Sequence, residues 1–498
     1  MIKIIAASLL CLFAASVRAE PGIQSFEIQS SYENWQLPNH ETMGMARLGL
    51  RQQFGNYWNA GIDAYTAVKG ERGGFITLGL AGGFEYPLSH GFSIESGVFV
   101  GAGGGRGGYE LTGGGLMLRE NIGIKYALPT YGSISLGVSH VDFPNGGVVK
   151  SQQMYLGYNL PFNALLEPST MRPGRRYLND LPSGYQAEAH QFSIKARQLK
   201  VPAGTVTDTQ QVQENFGVLG AEWRTFIHPN WFLKVDTAGA MQGNSRGYMH
   251  ILAGGGYQYP ITKKLFVYSS LALGGGGGGS VNTGGGLLWD ATMGAQYFLS
   301  KHWFADVSLS KLWAASTSFE SKGIGIQVGY QLGARNTGDS SSSTSSFDSH
   351  PLRIRAVHQQ YKKANEQWRN RPNQDVGNLG VQIDYFLNPN WYLTGQGLGA
   401  HSGDAGAYMT GLIGSGLRTK ITKNTFIEVE GLIGAAGGGG LNTGSGLIYQ
   451  ANLGLGYQLS KSVEIQGNLG EAKAVNGDFR AHIIGLSLAY KFNALTAR

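Results

Sequence analysis

Cysteine is nearly absent from this chain. The only one, Cys11, lies in segment 1–19, which has the features of a secretory signal peptide: a positive charge at Lys3, a short apolar run, and small residues up to Ala19. We therefore expect the mature chain to begin near Glu20. It would then have no disulfides and no thiolate metal ligands.

Long apolar segments are also missing. A membrane-spanning helix needs about 20 consecutive, mostly apolar residues. The apolar run 4–15 is shorter than this, and later stretches are interrupted by charged residues or glycines. The sequence thus excludes a helical membrane protein.

Charged residues are few, at 14% of the chain, whereas glycine is abundant, with 78 residues. Lys and Arg are scattered among acidic residues and form no basic patch, so we predict no nucleic-acid partner. Glycine is far above its usual ~7%, without a collagen period or the polarity of a disordered chain. This composition indicates crowded β-strands.

One glycine motif occurs in three places. It comprises Thr112-Gly-Gly-Gly-Leu116, Thr283-Gly-Gly-Gly-Leu287 and Thr443-Gly-Ser-Gly-Leu447, each after a glycine run. Repeats at this spacing indicate homologous structural units. The sequence predicts a signal peptide at 1–19, β-barrel units at 20–162, 189–332 and 352–498, a linker at 163–188, and a Ser-rich linker at 333–351.

Within a unit, apolar residues alternate with small or polar ones. Ile76, Leu78 and Leu80 lie on one face of a predicted strand, and Thr77 and Gly79 lie on the other. A period of two indicates strands with different faces. In the first unit we predict eight strands, at about 25–35, 43–54, 58–69, 74–88, 91–104, 113–128, 132–143 and 148–162.

The charged residues follow the parity opposite to the apolar face. They are Arg47, Arg51, Asp63, Glu85, Glu95, Arg119 and Lys125 in the first unit, Glu222, Arg224, Lys234, Asp236 and Asp290 in the second, and Asp384, Glu428, Glu430 and Glu464 in the third. A soluble β-sandwich would have a polar outer face. A continuous apolar face instead favours a membrane barrel, because an Arg or Lys facing lipid at midplane costs about 2–4 kcal/mol.

Aromatic residues lie beside the predicted tight turns, as expected for the girdles at a membrane interface. They include Trp231, Phe232, Trp303, Phe304, Trp391 and Tyr392. We therefore predict an all-β fold: a transmembrane antiparallel up-and-down β-barrel with three homologous eight-stranded units, in the outer membrane of a Gram-negative bacterium.

Two arrangements of these units are compatible with the sequence. Long junctions occur only at the unit boundaries, which favours three tandem narrow barrels. Many inner residues are small, which favours one 24-stranded barrel with a wide lumen.

The glycine motifs have two interpretations. No dinucleotide site is expected, because a strand follows the glycine run at 274–279 where that fingerprint requires a helix. The glycines either permit a close approach of backbones or line a smooth groove for an acyl chain or a polymer. The candidate groove residues are Thr112, Gly114, Thr283, Gly285, Thr443 and Gly446.

The end of the first unit carries a further polar pattern. Ser139-His140-Val141-Asp142 is followed by Asn145 and by Gln152-Gln153-Met154. This segment resembles the last hairpin of the outer-membrane lipid A 3-O-deacylase family, in which His-x-Ser-Asn and a later Glu form a lipid-facing triad. The resemblance implies a lipid-facing polar site at His140, Asp142 and Asn145.

This hairpin departs from the family at two positions. Asp142 stands at the nucleophile position, and Gln153 or Met154 stands near the acid position. Without a hydroxyl nucleophile, acyl transfer by a Ser–His pair cannot begin. We therefore assign no catalytic residue, and the sequence indicates no cofactor and no metal.

Three functions are compatible with these sequence features. The first is a non-enzymatic integral outer-membrane protein with an envelope-structural, surface-interaction or assembly role. The second is a pore or exporter for solutes or a polymer, and the third is a lipid A-modifying acyl hydrolase. The expected partners are outer-membrane lipid and lipopolysaccharide, the barrel-assembly machinery, and an envelope protein or polymer.

The alternation of apolar and charged residues predicts how the mature chain fractionates. Because the apolar faces would contact lipid, we expect the chain to sediment with the outer-membrane fraction and to resist extraction by alkaline carbonate. Recovery of the mature chain in the supernatant without detergent would contradict the membrane prediction.

Overall fold

The computed structural model describes residues 22–129, 131–169, 171–177, 189–333, 346–370 and 374–497. The predicted signal peptide lies outside this part of the chain. In these ranges the regular structure is β-strand, apart from a 3-10 turn at Pro38–His40 and a short helix, α1, at Gly108–Thr112. None of the helices described there has the length and apolarity needed to cross a bilayer.

The first eight strands pair in chain order. They are β1 (Gly22–Gln36), β2 (Thr42–Phe54), β3 (Trp58–Lys69), β4 (Ile76–Pro87), β5 (Phe92–Gly104), β6 (Leu116–Leu128), β7 (Gly132–Asp142) and β8 (Lys150–Pro168). β1 also pairs with β8, with Tyr32 opposite Leu156, so these strands form the first ring. All eight predicted strands are present, although β6 begins at Leu116, the last residue of the glycine motif, rather than at the predicted residue 113.

A second set of strands forms a separate closed barrel. It contains β10 (Ala189–Lys200), β11 (Phe216–Phe226), β12 (Trp231–Gln242), β13 (Met249–Pro260), β14 (Leu265–Gly277), β15 (Leu287–Phe298), β16 (Trp303–Ala314) and β17 (Glu320–Leu332). β10 pairs with β17, with Lys195 opposite Gln327, and closes this second ring. Its edge strands are thus paired with each other, which is incompatible with a single 24-stranded barrel.

The third ring follows the same order. Its strands are β18 (Ser346–Lys363), β19 (Val376–Asn388), β20 (Trp391–Ala400), β21 (Met409–Lys420), β22 (Thr425–Gly437), β23 (Leu447–Gln458), β24 (Val463–Ala474) and β25 (Arg480–Ala497). β18 pairs with β25, with Arg355 opposite Ala489.

The first and third rings share one 17-stranded sheet. β8 pairs with the end of β25, with Leu166 opposite Ala494. The short strand β9 (Gly174–Tyr177) pairs with the start of β18, with Arg175 opposite Asp348. The sequence did not predict this connection: parts of the predicted linkers 163–188 and 333–351 are strand, while 178–188 and 334–345 lie outside the described residues.

The buried carboxylate of Glu167 lies at this junction. It accepts hydrogen bonds from Ser349 at 2.6 Å and from Asn493 at 3.2 Å, and it forms an ion pair with Arg176 at 2.9 Å. Side chains of β8, β9, β18 and β25 therefore meet at one group.

The two faces of the strands have opposite chemistry, as predicted. Outward side chains such as Ile122 and Leu156 are 55% and 58% exposed, whereas the inward Arg119 is 3% exposed. One part of the aromatic prediction is wrong. Trp231, Trp303 and Trp391 face outward, but Phe232, Phe304 and Tyr392 are buried inside the rings, because consecutive strand residues point to opposite faces.

The two ends of each ring also differ. In each ring, the first strand begins and the last strand ends at the same end, here called the terminal end. In the first ring, the tight turns after β2, β4 and β6 lie at this end as well. The longer connections, which include the three glycine motifs, lie at the opposite end, here called the loop end.

Candidate functional site

The glycine motifs lie where the rings contact one another at the loop end. The amide of Gly406, in the third ring, donates a hydrogen bond to the carbonyl of Gly113, in the first ring, at 3.0 Å. The side chain of Asn145 donates to the carbonyl of His401 at 2.6 Å. A Cβ atom on Gly114 would lie 2.6 Å from that same carbonyl oxygen, so the backbones of the two rings are in direct contact here.

The second ring contacts the first in the same way. The amide of Gly73 donates to the carbonyl of Gly284 at 2.8 Å. A Cβ on Gly285 would lie 2.8 Å from the amide nitrogen of Gly70. Between neighbouring loops, Arg106 of the first ring lies 3.7 Å from Asp208 of the second.

The third ring contacts the second and completes the cycle. The hydroxyl of Ser445 donates to the carbonyl of Met241 at 3.1 Å. A Cβ on Gly446, whose φ is +98°, would lie 2.3 Å from the carbonyl oxygen of Ala240. Each motif thus contacts the end of the third strand of a neighbouring ring or the connection that follows it, and the three contacts run in one direction around the molecule.

The candidate groove residues therefore do not line an open groove. Gly114, Gly285 and Gly446 are covered by neighbouring backbone, at distances that any side chain would violate. Two of the motif threonines bond within their own rings: Thr112 donates to the carbonyl of Gly108 at 2.9 Å, and Thr283 donates to the carbonyl of Gly276 at 3.0 Å. Thr443 is buried. The interpretation as a close approach of backbones fits, with the difference that the approach is between rings.

The interior of the first ring is filled by ion pairs. Arg51 binds Asp63 at 2.6 Å, and Arg119 binds Glu33 at 2.9 Å. The hydroxyl of Ser139 also donates to Glu33, at 2.7 Å. Buried charges persist in proteins when they are paired and hydrogen-bonded, and these groups satisfy that condition.

The second ring contains a network around Glu222. This carboxylate lies 2.6 Å from Arg224 and 3.4 Å from both Lys195 and Lys234. Lys195 also binds Asp236.

The network of the third ring centres on Arg353, which is fully buried. Its guanidinium lies 2.7 Å from Asp384 and 2.6 Å from Glu428. Arg418 binds Glu464 at 2.6 Å.

Aromatic side chains close each interior toward the loop end. In the first ring, Trp35 packs edge-on against Phe75 and Phe143, with centroid distances of 5.9 and 6.2 Å. Phe216 and Tyr248 pack at 5.1 Å in the second ring. Tyr361, Trp368, Tyr408 and Phe479 form the corresponding cluster in the third. Ion-paired side chains fill the part of each interior toward the terminal end, and aromatic side chains fill the part toward the loop end. Side chains therefore occupy the space where a lumen would be.

The inner charges predicted from the sequence lie inside the rings, but several of their partners were missed. Glu33, Lys195, Arg197, Arg353 and Arg355 all lie on the first strand of a ring. The signal was present: Arg353 and Arg355 alternate with Ile354 and Ala356, the same period of two used for the other strands.

The predicted polar site on β7 is not assembled. His140 and Asp142 have the outward parity of Leu136 and Val138, and both are half-buried. Gln153 points inward and donates to Ser139 at 2.8 Å, whereas Met154 is 64% exposed on the outer face. The hydroxyl of Ser139 therefore lies inside the ring, away from His140.

Asn145 does not join His140 at a lipid-facing surface, because it binds the third ring through His401. Burial lowers the pKa of His401 to about 4, so its ring is neutral at physiological pH. In the described ranges, no three His, Cys, Asp or Glu side chains are grouped as metal ligands would be.

Comparisons with known proteins give no assignment. No family model matches the chain. No curated protein matches it either.

Three solved structures illustrate the similarities found. A de novo designed transmembrane β-barrel is 15% identical with a TM-score of 0.21, over 30% of this chain and 98% of that one. A mutant of the Pseudomonas aeruginosa ferric enterobactin receptor PfeA is 10% identical with a TM-score of 0.28, over 94% and 81%. Pseudomonas aeruginosa OpdQ is 10% identical with a TM-score of 0.21, over 96% and 99%. Scores this low do not establish a shared fold.

The loop-end contacts predict the effect of a side chain at Gly285. Its φ is not left-handed, so Gly285→Val tests the contact rather than the backbone conformation. We expect overpacking to weaken the docking of the second ring on the first by about 1–3 kcal/mol. Spin labels on Val148→Cys and Val212→Cys, in a mature chain without other cysteines, should report a broader and longer distance distribution.

Gly411→Val provides the matched control, because a Cβ at Gly411 has no neighbour within 4 Å. The label distances should be unchanged in this variant. Identical distributions for wild type and Gly285→Val would show that this contact does not fix the ring positions.

The buried network of the third ring predicts a large loss of stability in Arg353→Ala. Removing this cation breaks its ion pairs with the buried carboxylates of Asp384 and Glu428, and breaking a buried ion pair by removing one partner costs about 3–5 kcal/mol. The urea midpoint of the refolded protein in detergent, followed by tryptophan fluorescence, should fall accordingly.

Arg480→Ala removes an exposed ion pair, with Glu471 at 2.9 Å, and should leave the midpoint nearly unchanged. Equal midpoints for the two variants would refute a stabilising role for the interior network.

Proposed function

We propose that this chain is a non-enzymatic integral outer-membrane protein, built as three narrow filled barrels in one polypeptide. Its role is envelope structure, surface interaction or assembly of a larger complex. The observation that carries this proposal is the combination of ion-paired interiors with apolar exteriors.

The apolar exterior supports the membrane location. Outward residues such as Leu309, Ile324 and Leu453 are 65%, 67% and 57% exposed. Exposing this much apolar area to water would be unfavourable, whereas in a bilayer the same area would contact lipid chains. The strands, mostly of 10–15 residues, meet the length of about 9–11 residues needed to cross the hydrocarbon region.

The orientation follows from the two ends. Outer-membrane barrels have short periplasmic turns and longer external loops. The terminal end would therefore face the periplasm, and the glycine contacts at the loop end would face outward. A rigid cluster of loops at the cell surface would suit contacts with lipopolysaccharide or with an envelope protein or polymer.

Transport is the second candidate, and the filled interiors argue against it. Passage through the third ring would require breaking the contacts of Arg353 and displacing Trp368 and Phe479. Water-filled porins are wide because they have 16–18 strands, whereas an eight-stranded barrel is filled by its own side chains.

Lipid A hydrolysis is the third candidate and has little support. The outward face of β7 presents His140 and Asp142 without a hydroxyl nucleophile in place, since Ser139 points inward. Acyl transfer requires an activated nucleophile within hydrogen-bond reach of its base.

Conductance in planar bilayers tests the proposal. We expect the folded protein to give little or no current, because ion-paired side chains fill the rings, while a general porin inserted in parallel gives large stable steps. In the same strains, the acyl chains of lipid A should have the same mass with and without the protein.

Stable, large conductance from the heat-modifiable, folded protein would refute closed barrels and favour transport. Loss of an acyl chain from lipid A on expression would favour the hydrolase.

A further inference from the structure

Three lysines lie in one row across neighbouring strands of the second ring. Lys200 on β10 is opposite Lys322 on β17, and Lys322 is opposite Lys311 on β16. All three are exposed and lie close to the loop end of their strands. Because residues on adjacent strands are about 5 Å apart, the row spans about 10 Å. Its three ammonium groups can therefore reach a single headgroup.

The row carries more positive charge than its own strands neutralise. Lys311 forms an ion pair with Glu320 at 2.8 Å. Within the described ranges, no carboxylate lies within 4.0 Å of the ammonium group of Lys200 or Lys322. Like charges that are directly opposite on a sheet destabilise it. An anion bound at the row would relieve this repulsion.

The matching positions of the other two rings differ in charge. In the third ring, Glu471 stands where Lys311 stands in the second, and it is opposite His482. In the first ring, His140 stands at this position and is opposite Gln152. Of the three rows, only that of the second ring consists of lysines.

An exposed apolar surface adjoins the row on the side toward the terminal end. Leu309 and Ile324, each two residues from a lysine of the row, are 65% and 67% exposed, and Met293, opposite Leu309 on β15, is 69% exposed. These exposures hold with all three rings in place, so no neighbouring ring covers this surface. The second ring instead contacts the other rings through strands such as β12 and β14, at Gly239 and Gly275.

Two tryptophans indicate where the row lies relative to the membrane. Trp313 on β16 is two residues from Lys311 on the same outward face, and it stacks on Trp289 of β15 with a centroid distance of 6.3 Å. Outward tryptophans concentrate at the interface between membrane and water. The row therefore lies beside the interface, with Leu309 on its hydrocarbon side.

The ligand that fits this order of groups is an amphiphile with a phosphorylated headgroup. A lysine ammonium is a common phosphate ligand, and the apolar surface beside the row would contact acyl chains. In the orientation proposed above, the loop end faces outward, into the leaflet that lipopolysaccharide forms. The lipid A part of lipopolysaccharide carries phosphates on a sugar backbone and several acyl chains.

We propose that the row of Lys200, Lys322 and Lys311 binds a phosphate of lipid A, whose acyl chains lie along the adjoining apolar surface of β16 and β17. This proposal rests on the membrane location and orientation proposed above, and it assigns one lipopolysaccharide site to one side of the second ring. The other two rings lack the row, so each chain has one such site.

Native mass spectrometry of the full-length mature protein, refolded in a mild detergent, tests this proposal. Bisphosphorylated lipid A is titrated into the protein, and wild type should bind about one molecule per chain. The double variant Lys200→Gln with Lys322→Gln leaves the pair of Lys311 and Glu320 in place. It should bind lipid A at least about ten-fold more weakly, because each lysine near a membrane surface contributes to the binding of anionic lipid.

The matched control is the double variant Lys263→Gln with Lys264→Gln. These two lysines are exposed in the turn between β13 and β14, at the terminal end of the same ring. The change in charge is the same, yet this variant should bind lipid A as wild type does. Heat-modifiable migration verifies that each variant is folded.

Two further lipids test the phosphate without any substitution. Wild type should bind dephosphorylated lipid A at least about ten-fold more weakly than the bisphosphorylated form, because the lysines then lose their anionic partner. Phosphatidylglycerol, an anionic phospholipid, should also bind more weakly than bisphosphorylated lipid A.

Three results would overturn the proposal: equal weakening in the two double variants, equal binding of the two forms of lipid A, or equal binding of phosphatidylglycerol and lipid A. Failure of the proposed function is distinguishable, because the protein would then remain in solution without detergent. A detergent-requiring protein that does not distinguish the two forms of lipid A overturns only the lysine site.

Discussion

Closure of the strands into rings is the constraint on which the rest of this structure depends. A hydrocarbon medium offers no hydrogen-bond partners to the backbone, so a spanning sheet must pair its own edges. Here β1 pairs with β8, β10 with β17, and β18 with β25. Once these pairs form, side-chain alternation decides the remainder: one face points outward, and the other is enclosed in a space that only side chains can fill.

The buried ion pairs join strands within a ring, whereas the glycine contacts join one ring to another. Inside a ring, a cation such as Arg353 touches acids from several strands, so a single group ties together elements that are distant in sequence. Between rings, carbon-rich outer surfaces offer little directional preference. The backbone contacts at Gly114, Gly285 and Gly446 supply this directional preference, because only a residue without a side chain lets the backbones of two rings come so close.

Much of the fold could be predicted from the sequence, since a period of two and a repeated motif are local signals. The strand bounds of the first ring and the inward parity of residues such as Asp63 and Glu428 followed from these signals. The inward orientation of Phe232 and Tyr392 was missed because two adjacent aromatic residues were both assigned to the membrane interface, although neighbours on a strand face opposite ways.

Other features required the tertiary arrangement. The pairing of β8 with β25 joins segments more than 300 residues apart, and no composition rule identifies such partners. The role of the glycine motifs was left open between a groove and a backbone approach, because the sequence does not say what lies on the other side. Asn145 was grouped with His140 because their segment resembles one hairpin of a known family, whereas its partner His401 is in another unit.

The direction of the loop-end contacts has a consequence for self-association. Each ring offers a glycine motif to one neighbour and a receiving connection to the other, which is a head-to-tail arrangement. Such interfaces build filaments unless the rotation closes. Here it closes after three rings that share one polypeptide, so every donor surface and every acceptor surface is already engaged, and no free end is left to recruit a further copy.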